Sequence, residues 1–419
     1  MTGAARSTAS PRRVSLKRKT LEVYRDLVGD ELVAEIRALG AKLRGLRLLE
    51  LSATATGGGV AELLASLGPL ERDLGIDAEW RVIAGDRRFF EVTKRIHNGL
   101  QGMDVELSAA QQREYLDHNR SNAEALDGRW DVVVVHDPQP AAVRSFAGDR
   151  ADHWIWRCHV DSSSPHLPVW EFLRPYVEMH DLAAFTMETF VPPDLGIPTA
   201  MLVPAIDPIS SKNQVLPDYL ARRTVAALGV DVAEPLLLQV SRFDPWKDPL
   251  GVIEVWRRVR ETFPTLQLAL VGSMATDDPE GWRIYEQIEA ETAGERGCVL
   301  FTDQMGVSGH EVNAFQRVAD VAIQKSIREG FGLVVAETLW KGTAMVAGRA
   351  GGIPMQLQDG VGGRLAGTVA EFAEAVTDLL EDPMKAAEMG TAGAERVRDR
   401  FLMPRLLRDH LATVARVVG

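Results

Sequence analysis

Short apolar runs alternate along the chain with longer segments in which apolar residues recur every three or four positions. A short apolar run between turn residues predicts a buried strand, and the longer periodicity predicts an amphipathic helix. The clearest strand is Asp131-Val132-Val133-Val134-Val135, because an unbroken β-branched run is typical of a parallel strand that is buried on both faces. The alternation therefore predicts an α/β protein built from βαβ units.

The predicted elements fall into two series, separated by a proline-containing stretch at 204–217. The first series has strands at 46–53, 78–84, 131–135, 153–160 and 182–187, with helices at 21–46, 60–74 and 169–179. The second has strands at 235–240, 266–272, 298–302, 320–325 and 343–347, with helices at 249–262, 279–292, 309–319 and 332–341. A helical tail follows at 369–418. Two domains, 21–207 and 208–400, are therefore expected after a basic segment, 1–20, that is predicted to be a mobile tail.

A glycine-rich turn gives the first indication of chemistry. Glu329-Gly330-Phe331-Gly332-Leu333 opens a predicted helix that carries Glu337 two turns later. Such a turn leaves backbone N–H groups exposed at the positive end of the helix dipole, where phosphate binds. Carboxylates on either side could accept hydrogen bonds from sugar hydroxyls. Taken alone, the pattern fits equally well a glycine turn before a surface helix with two solvated glutamates.

A basic loop upstream favours the phosphate interpretation. Arg242 and Lys247 follow the predicted strand 235–240, and ligands bind at the carboxyl ends of the strands in doubly wound sheets. Arg242 offers a bidentate fork and Lys247 a compact charge, which are two common ways of holding phosphate oxygens. Arginine and lysine on a loop are more often simply solvated, so the interpretation depends on the pairing of this loop with the glutamate motif.

Together these motifs resemble the retaining glycosyltransferases of family 4. Three further segments resemble the trehalose-synthesising branch of that family, whose members join the glucose of a nucleotide sugar to free glucose. They are Thr56-Gly57-Gly58-Gly59-Val60-Ala61-Glu62, His136-Asp137-Pro138-Gln139-Pro140 and Trp156-Arg157-Cys158-His159-Val160-Asp161. The resemblance implies two Rossmann-like domains facing across a cleft, the GT-B architecture, with a C-terminal helix at 401–419 that crosses back onto the N-terminal domain.

The resemblance also implies roles for particular residues. Arg242 and Lys247 are expected to neutralise the departing diphosphate, together with the backbone from Gly330 through Phe331 and Gly332 to Leu333. Glu329 is expected to bind hydroxyls of the donor sugar, and Glu337 to bind the ribose.

Roles in the N-terminal half are expected in the same way. His159 is expected to bind the primary hydroxyl of the donor sugar, although an isolated histidine is more often bonded to backbone in a core. Asp137, with Gln139 close behind, is expected to orient the attacking hydroxyl, although Asp-Pro also simply begins a turn. Gly58 and Gly59 are expected to approach the donor closely, and Arg157 to line the acceptor pocket.

Composition argues against some classes of binding partner. The formal net charge is −12, which argues against nucleic acid or an anionic membrane as the main partner. Cys158 and Cys298 are far apart, and with so few cysteines a reduced cytoplasmic location is expected. No Asp-x-Asp pair follows a predicted strand, and Asp277-Asp278 reads as a solvated loop, so transfer without a metal or other cofactor is expected. A homodimer is among the oligomeric states left open.

The expected function is a retaining glucosyltransferase that makes trehalose from a nucleotide-diphosphate glucose and glucose. A retaining trehalose phosphorylase using the same pocket is the first alternative, but Glu337 would then have no ribose to hold. A related transferase with another acceptor is a second alternative. A non-catalytic nucleotide-sugar sensor with the same fold is the third, and it would bind without turnover. The base of the donor, ADP, UDP or GDP, stays open.

Overall fold

The computed structural model describes residues 10–273 and 281–419, so the predicted solvated pair Asp277-Asp278 lies outside the described residues. Most of the chain divides into two compact units. Unit 1 contains residues 10–203 and 404–419, and unit 2 contains residues 204–273 and 281–403. The C-terminal segment from Pro404 thus belongs to the same compact unit as the N-terminal half of the chain.

Unit 1 is built on a seven-stranded sheet in the order β1-β3-β2-β4-β5-β6-β7. All neighbouring strands are parallel except β1, which is antiparallel to β3. The strands are β1 (Arg12–Arg13), β2 (Arg47–Ser52), β3 (Asp77–Val82), β4 (Trp130–His136), β5 (Ala151–Arg157), β6 (Leu182–Phe185) and β7 (Thr199–Met201). The helices are α1 (Arg25–Lys42), α2 (Gly59–Asp73), α3 (Arg87–Leu100), α4 (Ala109–Ala125), α5 (Leu167–Val177) and α14 (Met403–Val418).

Unit 2 has a second seven-stranded sheet, in the order β10-β9-β8-β11-β12-β14-β13, with every neighbouring pair parallel. Its strands are β8 (Leu236–Arg242), β9 (Gln267–Ser273), β10 (Cys298–Thr302), β11 (Val321–Gln324), β12 (Met345–Gly348), β13 (Gln358–Asp359) and β14 (Gly362–Ala366). Its helices are α6 (Asp218–Ala227), α7 (Pro249–Val259), α8 (Gly281–Glu291), α9 (Gly309–Val318), α10 (Leu333–Trp340), α11 (Ile353–Gln356), α12 (Val369–Glu381) and α13 (Pro383–Arg400).

The cores follow the apolar pattern of the strands. In β4, Val132 to Val135 are at most 1% exposed, because helices cover both faces of the sheet. In unit 2, Leu237 and Leu238 of β8 point to opposite faces and join two separate apolar clusters. A parallel sheet buried on both faces leaves the carboxyl edge of its strands as the natural place for polar chemistry.

Residues 10–20 of the basic segment predicted as a mobile tail are ordered against the rest of unit 1. Arg12 and Arg13 pair with β3, and the backbone N–H of Val14 donates to Trp80 O at 2.8 Å. The Nζ of Lys19 donates to Ser66 Oγ at 3.0 Å. Residues 1–9 lie outside the described residues. The sequence pattern indicated no strand here because two residues are too few to show an alternation.

Four of the described helices, α3, α4, α6 and α11, were not predicted from the sequence. α4 lies in a polar stretch, α6 follows directly on the segment predicted as a linker, and α11 has only four residues. α3 does carry apolar residues at helical spacing, at Phe89, Val92, Ile96 and Leu100. A serine cap accounts for the start of α4, since Ser108 accepts from Gln111 N and Gln111 Oε1 accepts from Ser108 N. Among the described residues, no helix is both long enough and apolar enough to cross a membrane.

Candidate active site

In unit 2, the basic loop lies at the carboxyl end of β8. The strand ends at Arg242, and Asp244 then caps a turn of 3-10 helix by accepting from Trp246 N at 2.9 Å. Gln239 Nε2 donates to Lys247 O at 2.9 Å and so fixes the backbone of the lysine. Arg242 Nη2 is 3.5 Å from Asp244 Oδ2. The loop therefore presents both basic side chains from a backbone that is held by the sheet and by the cap.

Glu329 lies in the loop after the neighbouring strand β11, and it contacts this basic loop directly. The Nζ of Lys247 donates to Glu329 Oε2 at 2.6 Å, and Ser326 Oγ donates to the same oxygen at 3.0 Å. Gln324 Nε2 in turn donates to Ser326 Oγ at 2.8 Å. The side chains of Lys247 and Glu329 are 15% and 9% exposed, so this is a mostly buried ion pair. Two residues predicted to act on one donor are therefore adjacent.

Two glycines with positive φ allow this arrangement. Gly332 precedes α10 in the left-handed conformation, with φ +80°, and a Cβ there would lie 3.2 Å from Glu329 Cγ. Gly351, after β12, has φ +49°, and a Cβ would lie 1.7 Å from Glu329 O. No side chain fits between Gly351 and the glutamate loop. The backbone N–H of Gly352 closes the contact by donating to Gly330 O at 2.8 Å.

A hydrogen bond from α11 also fixes the predicted phosphate turn. Gln356 Nε2 donates to Phe331 O at 2.5 Å, while Leu333 begins α10. Glu337, on that helix, is 2% exposed, and its Oε1 is 3.4 Å from Lys212 Nζ. Lys212 was not among the predicted site residues, because it lies in the stretch that the sequence identified only as a linker.

In unit 1, the predicted residues follow three neighbouring parallel strands, β2, β4 and β5. Gly58 caps α2 after β2, and Gly59 begins that helix. Asp137 follows β4 with a left-handed φ of +64°, and its Oδ1 accepts from the backbone N–H of His159 at 2.8 Å. Strand pairing thus brings Asp137 and His159 together, although 21 residues separate them along the chain. Gln139 is partly exposed, and its carbonyl oxygen accepts from Asn119 Nδ2 at 3.1 Å.

Arg157 is at the end of β5 but lies inside the unit, with only 1% of its surface exposed. Burial lowers the pKa of Arg157 to about 10, although the nearby carboxylate of Glu50 opposes that change. Trp154 and Trp156 on the same strand are fully buried as well. Direct contact between Arg157 and an acceptor therefore stays a prediction. The charges that act on its guanidinium in the structure are those in the interior of unit 1.

Those interior charges form a buried cluster that the sequence prediction missed. Glu50 Oε2 is 2.6 Å from His136 Nε2, and Glu50 Oε1 is 3.2 Å from His410 Nε2. Glu71 Oε1 is 3.1 Å from the same His410 nitrogen. All four side chains are at most 1% exposed. One signal was available, because Glu50 interrupts the apolar run Leu48-Leu49-Glu50-Leu51, and a charged residue in a buried strand needs partners.

Burial and pairing shift the protonation of the cluster. Burial raises the pKa of Glu71 to about 7, and the neighbouring charge of Glu50 adds to this. Burial would lower the pKa of His410, but its contacts with Glu50 and Glu71 outweigh burial and raise the pKa to about 9. Glu50 has the opposite balance, since His136 and His410 outweigh burial and lower its pKa. His410 is thus held as a cation between two carboxyl groups.

Two groups of described residues have ligand atoms close enough together, within 4.8 Å, to hold a metal ion. One is the buried set of Glu50, Glu71 and His410, and the other is the more exposed set of Asp86, Glu114 and His118. In the buried set, the cation His410 lies within 3.2 Å of both carboxyl groups. Neither set includes a residue predicted to bind the donor.

Comparison with known proteins identifies the family. Residues 50–192 match the family "Trehalose synthase, N-terminal domain", and residues 222–396 match "Glycosyl transferases group 1". A trehalose synthase of Rubrobacter xylanophilus is 50% identical over 413 residues, which cover 97% of this chain and 99% of that protein. The chain belongs to the trehalose synthase family of glycosyltransferases.

More distant similarities agree with this family assignment. A trehalose phosphorylase of Pleurotus pulmonarius is 28% identical, covering 90% of this chain but 58% of that protein. The structure of an α,α-trehalose-phosphate synthase (UDP-forming) from Burkholderia xenovorans superposes with a TM-score of 0.70 at 16% identity, covering 88% of this chain and all of that one. At this identity the likeness concerns the fold, and it confirms the predicted GT-B class. The member of the family described here is therefore a trehalose-related glycosyltransferase, and an enzyme.

Proposed function

We propose that this member of the family is a retaining glucosyltransferase that makes trehalose from a nucleotide-diphosphate glucose and free glucose. The observation that carries the proposal is the 2.6 Å contact between Lys247 Nζ and Glu329 Oε2. In a nucleotide sugar the diphosphate and the glucose are joined through a single oxygen. A cation for the phosphate and an acceptor for the sugar hydroxyls must therefore be neighbours, as these two side chains are.

The chemistry follows from charge. As the bond between the anomeric carbon and the phosphate oxygen breaks, negative charge grows on the diphosphate. Lys247 and Arg242 stabilise that charge, together with the backbone N–H groups from Gly330 to Leu333. The hydroxyl of the second glucose attacks from the side that the diphosphate leaves, so the configuration is retained. Its proton passes to the departing phosphate oxygen.

The other predicted residues position the two sugars. Glu329 binds hydroxyls of the donor glucose, Glu337 binds the ribose, and His159 binds the primary hydroxyl of the donor. Asp137 and Gln139 orient the attacking hydroxyl. Gly58 and Gly59 let the backbone come close to the donor, since neither carries a side chain.

The relatives favour a synthase over a phosphorylase. The similarity to the Rubrobacter trehalose synthase spans both chains almost entirely, whereas the chain spans only about three fifths of the Pleurotus trehalose phosphorylase. Glu337, which is buried with Oε1 3.4 Å from Lys212 Nζ, is the residue proposed to bind the ribose, and a phosphorylase donor would leave that role unfilled.

An NMR assay of the purified protein tests the proposal. Glucose is supplied with ADP-, UDP- or GDP-glucose in separate tubes, and with glucose 1-phosphate in a fourth. We expect an α,α-1,1-linked disaccharide and a released nucleoside diphosphate in at least one of the first three, which names the donor. Product from glucose 1-phosphate alone would identify a phosphorylase. Nucleotide-sugar binding without product would point to another acceptor, or to a sensor if no acceptor sugar is converted.

The proposal includes transfer without a metal ion, a cytoplasmic location and a homodimer as the assembly to test first. Adding a chelator to the same assay tests transfer without a metal ion. If the chelator abolishes turnover and Mg²⁺ restores it, that part of the proposal is wrong. Cell fractionation and analytical ultracentrifugation test the other two. The cytoplasmic location is supported by the scarcity of cysteine, with Cys158 and Cys298 both free thiols.

A further inference from the structure

Three side chains of unit 1 form a continuous line from the buried cluster to His159. Glu50 Oε2 is 2.6 Å from His136 Nε2, and His136 Nδ1 is 3.0 Å from His159 Nε2. The two imidazole rings face each other edge to edge, with centroids 5.3 Å apart and planes inclined by 17°. Glu50 and His136 are 1% exposed, whereas His159 is partly exposed at the carboxyl edge of the sheet. The line thus connects the interior with the predicted substrate side of the unit.

The chemistry of the three groups gives the line a direction. An ionised carboxylate only accepts hydrogen bonds, so the nitrogen of His136 that faces Glu50 must carry the proton. A neutral imidazole has one N–H, which leaves His136 Nδ1 as an acceptor. His159 Nε2 must then be the N–H that donates to it. The remaining nitrogen of His159, Nδ1, is left with a lone pair.

Two observations support an ionised Glu50 and a neutral His136. His410 lies 3.2 Å from the other oxygen of Glu50, and its positive charge favours an ionised Glu50. Burial lowers the pKa of His136, as does the nearby charge of Arg157, and both oppose the effect of Glu50. His136 is therefore neutral and Glu50 ionised at neutral pH. Because His410 belongs to α14, the C-terminal helix takes part in setting the direction.

We propose that Glu50 and His136 are positioning residues that hold His159 in the tautomer protonated at Nε2, so that its Nδ1 accepts a hydrogen bond from a sugar hydroxyl of the substrate. The identity of that hydroxyl rests on the proposed function, whereas the tautomer does not. Without the line, the ring of His159 would exchange between two tautomers, and only one of them can accept at Nδ1. Fixing the tautomer in advance removes that cost from substrate binding.

The tautomer can be measured directly on the full chain without substrate. Ring-¹⁵N histidine is incorporated, and long-range ¹H–¹⁵N correlation spectra identify which nitrogen of each ring is protonated. His159 is assigned by comparison with His159→Gln. We expect a pyrrole-type Nε2 and a pyridine-type Nδ1 in the wild type. A His159 that is protonated at Nδ1, doubly protonated or averaged between tautomers would overturn the inference, whatever the enzyme's activity.

Glu50→Gln tests the origin of the tautomer. The amide can present either its oxygen or its NH₂ group to His136, so the direction of the line is no longer fixed, and we expect averaged ¹⁵N shifts at His159. Glu71→Gln is the matched control. It makes the same change of carboxyl to amide at an equally buried side chain and contacts His410, but it does not contact His136. We expect it to leave the shifts of His159 unchanged. A change in the ¹⁵N shifts of His159 in both variants, or in neither, would contradict the proposal that Glu50 fixes the tautomer. If Glu50→Gln does not fold, the wild-type spectrum still shows whether His159 is protonated at Nε2.

Kinetics then test the sugar contact separately. We expect Glu50→Gln to lower kcat/KM for the nucleotide sugar about tenfold, the usual effect of misplacing one hydrogen bond, with Glu71→Gln close to the wild type. An altered tautomer with unchanged kcat/KM would overturn the contact between His159 and the sugar while leaving the positioning of the ring intact. Absence of any turnover in the wild type would instead count against the proposed function.

Discussion

At the scale of single residues, the candidate site is a set of charges that hold one another in place. Lys247 and Glu329 are mostly buried and form an ion pair, as Glu50 does with His410. Removing one partner of a buried pair leaves the other charge uncompensated, which costs about 3–5 kcal/mol. The pairing also means that a bound phosphate would share Lys247 with Glu329.

Replacing Lys247 tests whether its charge stabilises the departing diphosphate. We expect Lys247→Met to lower kcat by about 10²–10³-fold, the loss typical of removing one group that stabilises charge in the transition state. Steady-state rates of nucleotide release give the value, and circular dichroism checks the fold. Arg364→Met is the control, since it removes another cation and its 2.8 Å ion pair with Asp378 from the same unit. Turnover of Lys247→Met near that of the control would eliminate the leaving-group role.

At the scale of elements, the strand order places each predicted residue. β8, β11 and β12 are neighbours in the sheet of unit 2, and β2, β4 and β5 are neighbours in unit 1. Their carboxyl ends therefore lie at one edge of each sheet, and residues far apart in the chain meet there. The loops that follow these strands hold their shape through glycines and caps, as at Gly351 and Asp244.

Gly351 provides a test of the loop geometry. We expect Gly351→Ala to displace the Glu329 loop, because a Cβ would lie 1.7 Å from Glu329 O, and to abolish measurable nucleotide-sugar binding by calorimetry. Gly342→Ala is a matched control, since φ is +77° and no atom lies within 4 Å of its Cβ. The control should lose only about 1–2 kcal/mol of stability from backbone strain. Donor binding that survives in Gly351→Ala would show that the loop tolerates displacement.

The buried cluster, which includes His410 of α14, should make the stability of the fold depend on pH. Glu71 and His410 both have raised pKa values in the folded protein, about 7 and about 9. The folded state thus binds more protons than the unfolded state, and stability falls as pH rises. The Glu71 contribution is complete below its ordinary value of 4.5 and is lost through about pH 7. The His410 contribution is complete below 6.5 and is lost through about pH 9.

Denaturant unfolding at several pH values checks whether stability falls as pH rises. We expect the difference in unfolding free energy between the wild type and the double variant Glu71→Gln/His410→Gln to decrease by a few kcal/mol between about pH 4.5 and about pH 9. His180→Gln is the contrasting control, since burial lowers the pKa of His180 to about 4. Its effect should run in the opposite direction, and only between about pH 4 and 6.5. A pH-independent difference for the double variant would mean that neither group is shifted.

At the scale of the whole molecule, the sequence predicted what depends on local pattern and missed what depends on tertiary partners. The Val132–Val135 strand and the Glu329 turn were recognisable because burial on both faces and glycine chemistry are visible in a few adjacent residues. The sequence predicted that Lys247 and Glu329 lie near each other, but it did not predict the hydrogen bond between them. His410 could not be assigned, because its partners Glu50 and Glu71 lie more than 330 residues away and only the docking of α14 brings them together.

Net charge gives the last prediction. The chain carries a formal charge of −12, so its long-range field repels a diphosphate, whereas the attraction comes from cations such as Lys247 at hydrogen-bond distance. The Debye length falls from about 30 Å at 0.01 M salt to about 8 Å at 0.15 M, which screens the repulsion more than the local contacts. We therefore expect kcat/KM for the nucleotide sugar to rise about two- to threefold over this range, while kcat/KM for uncharged glucose stays constant. Stopped-flow or steady-state assays in two different salts separate screening from specific ion effects. A steep fall with salt would show instead that an extended positive surface steers the donor.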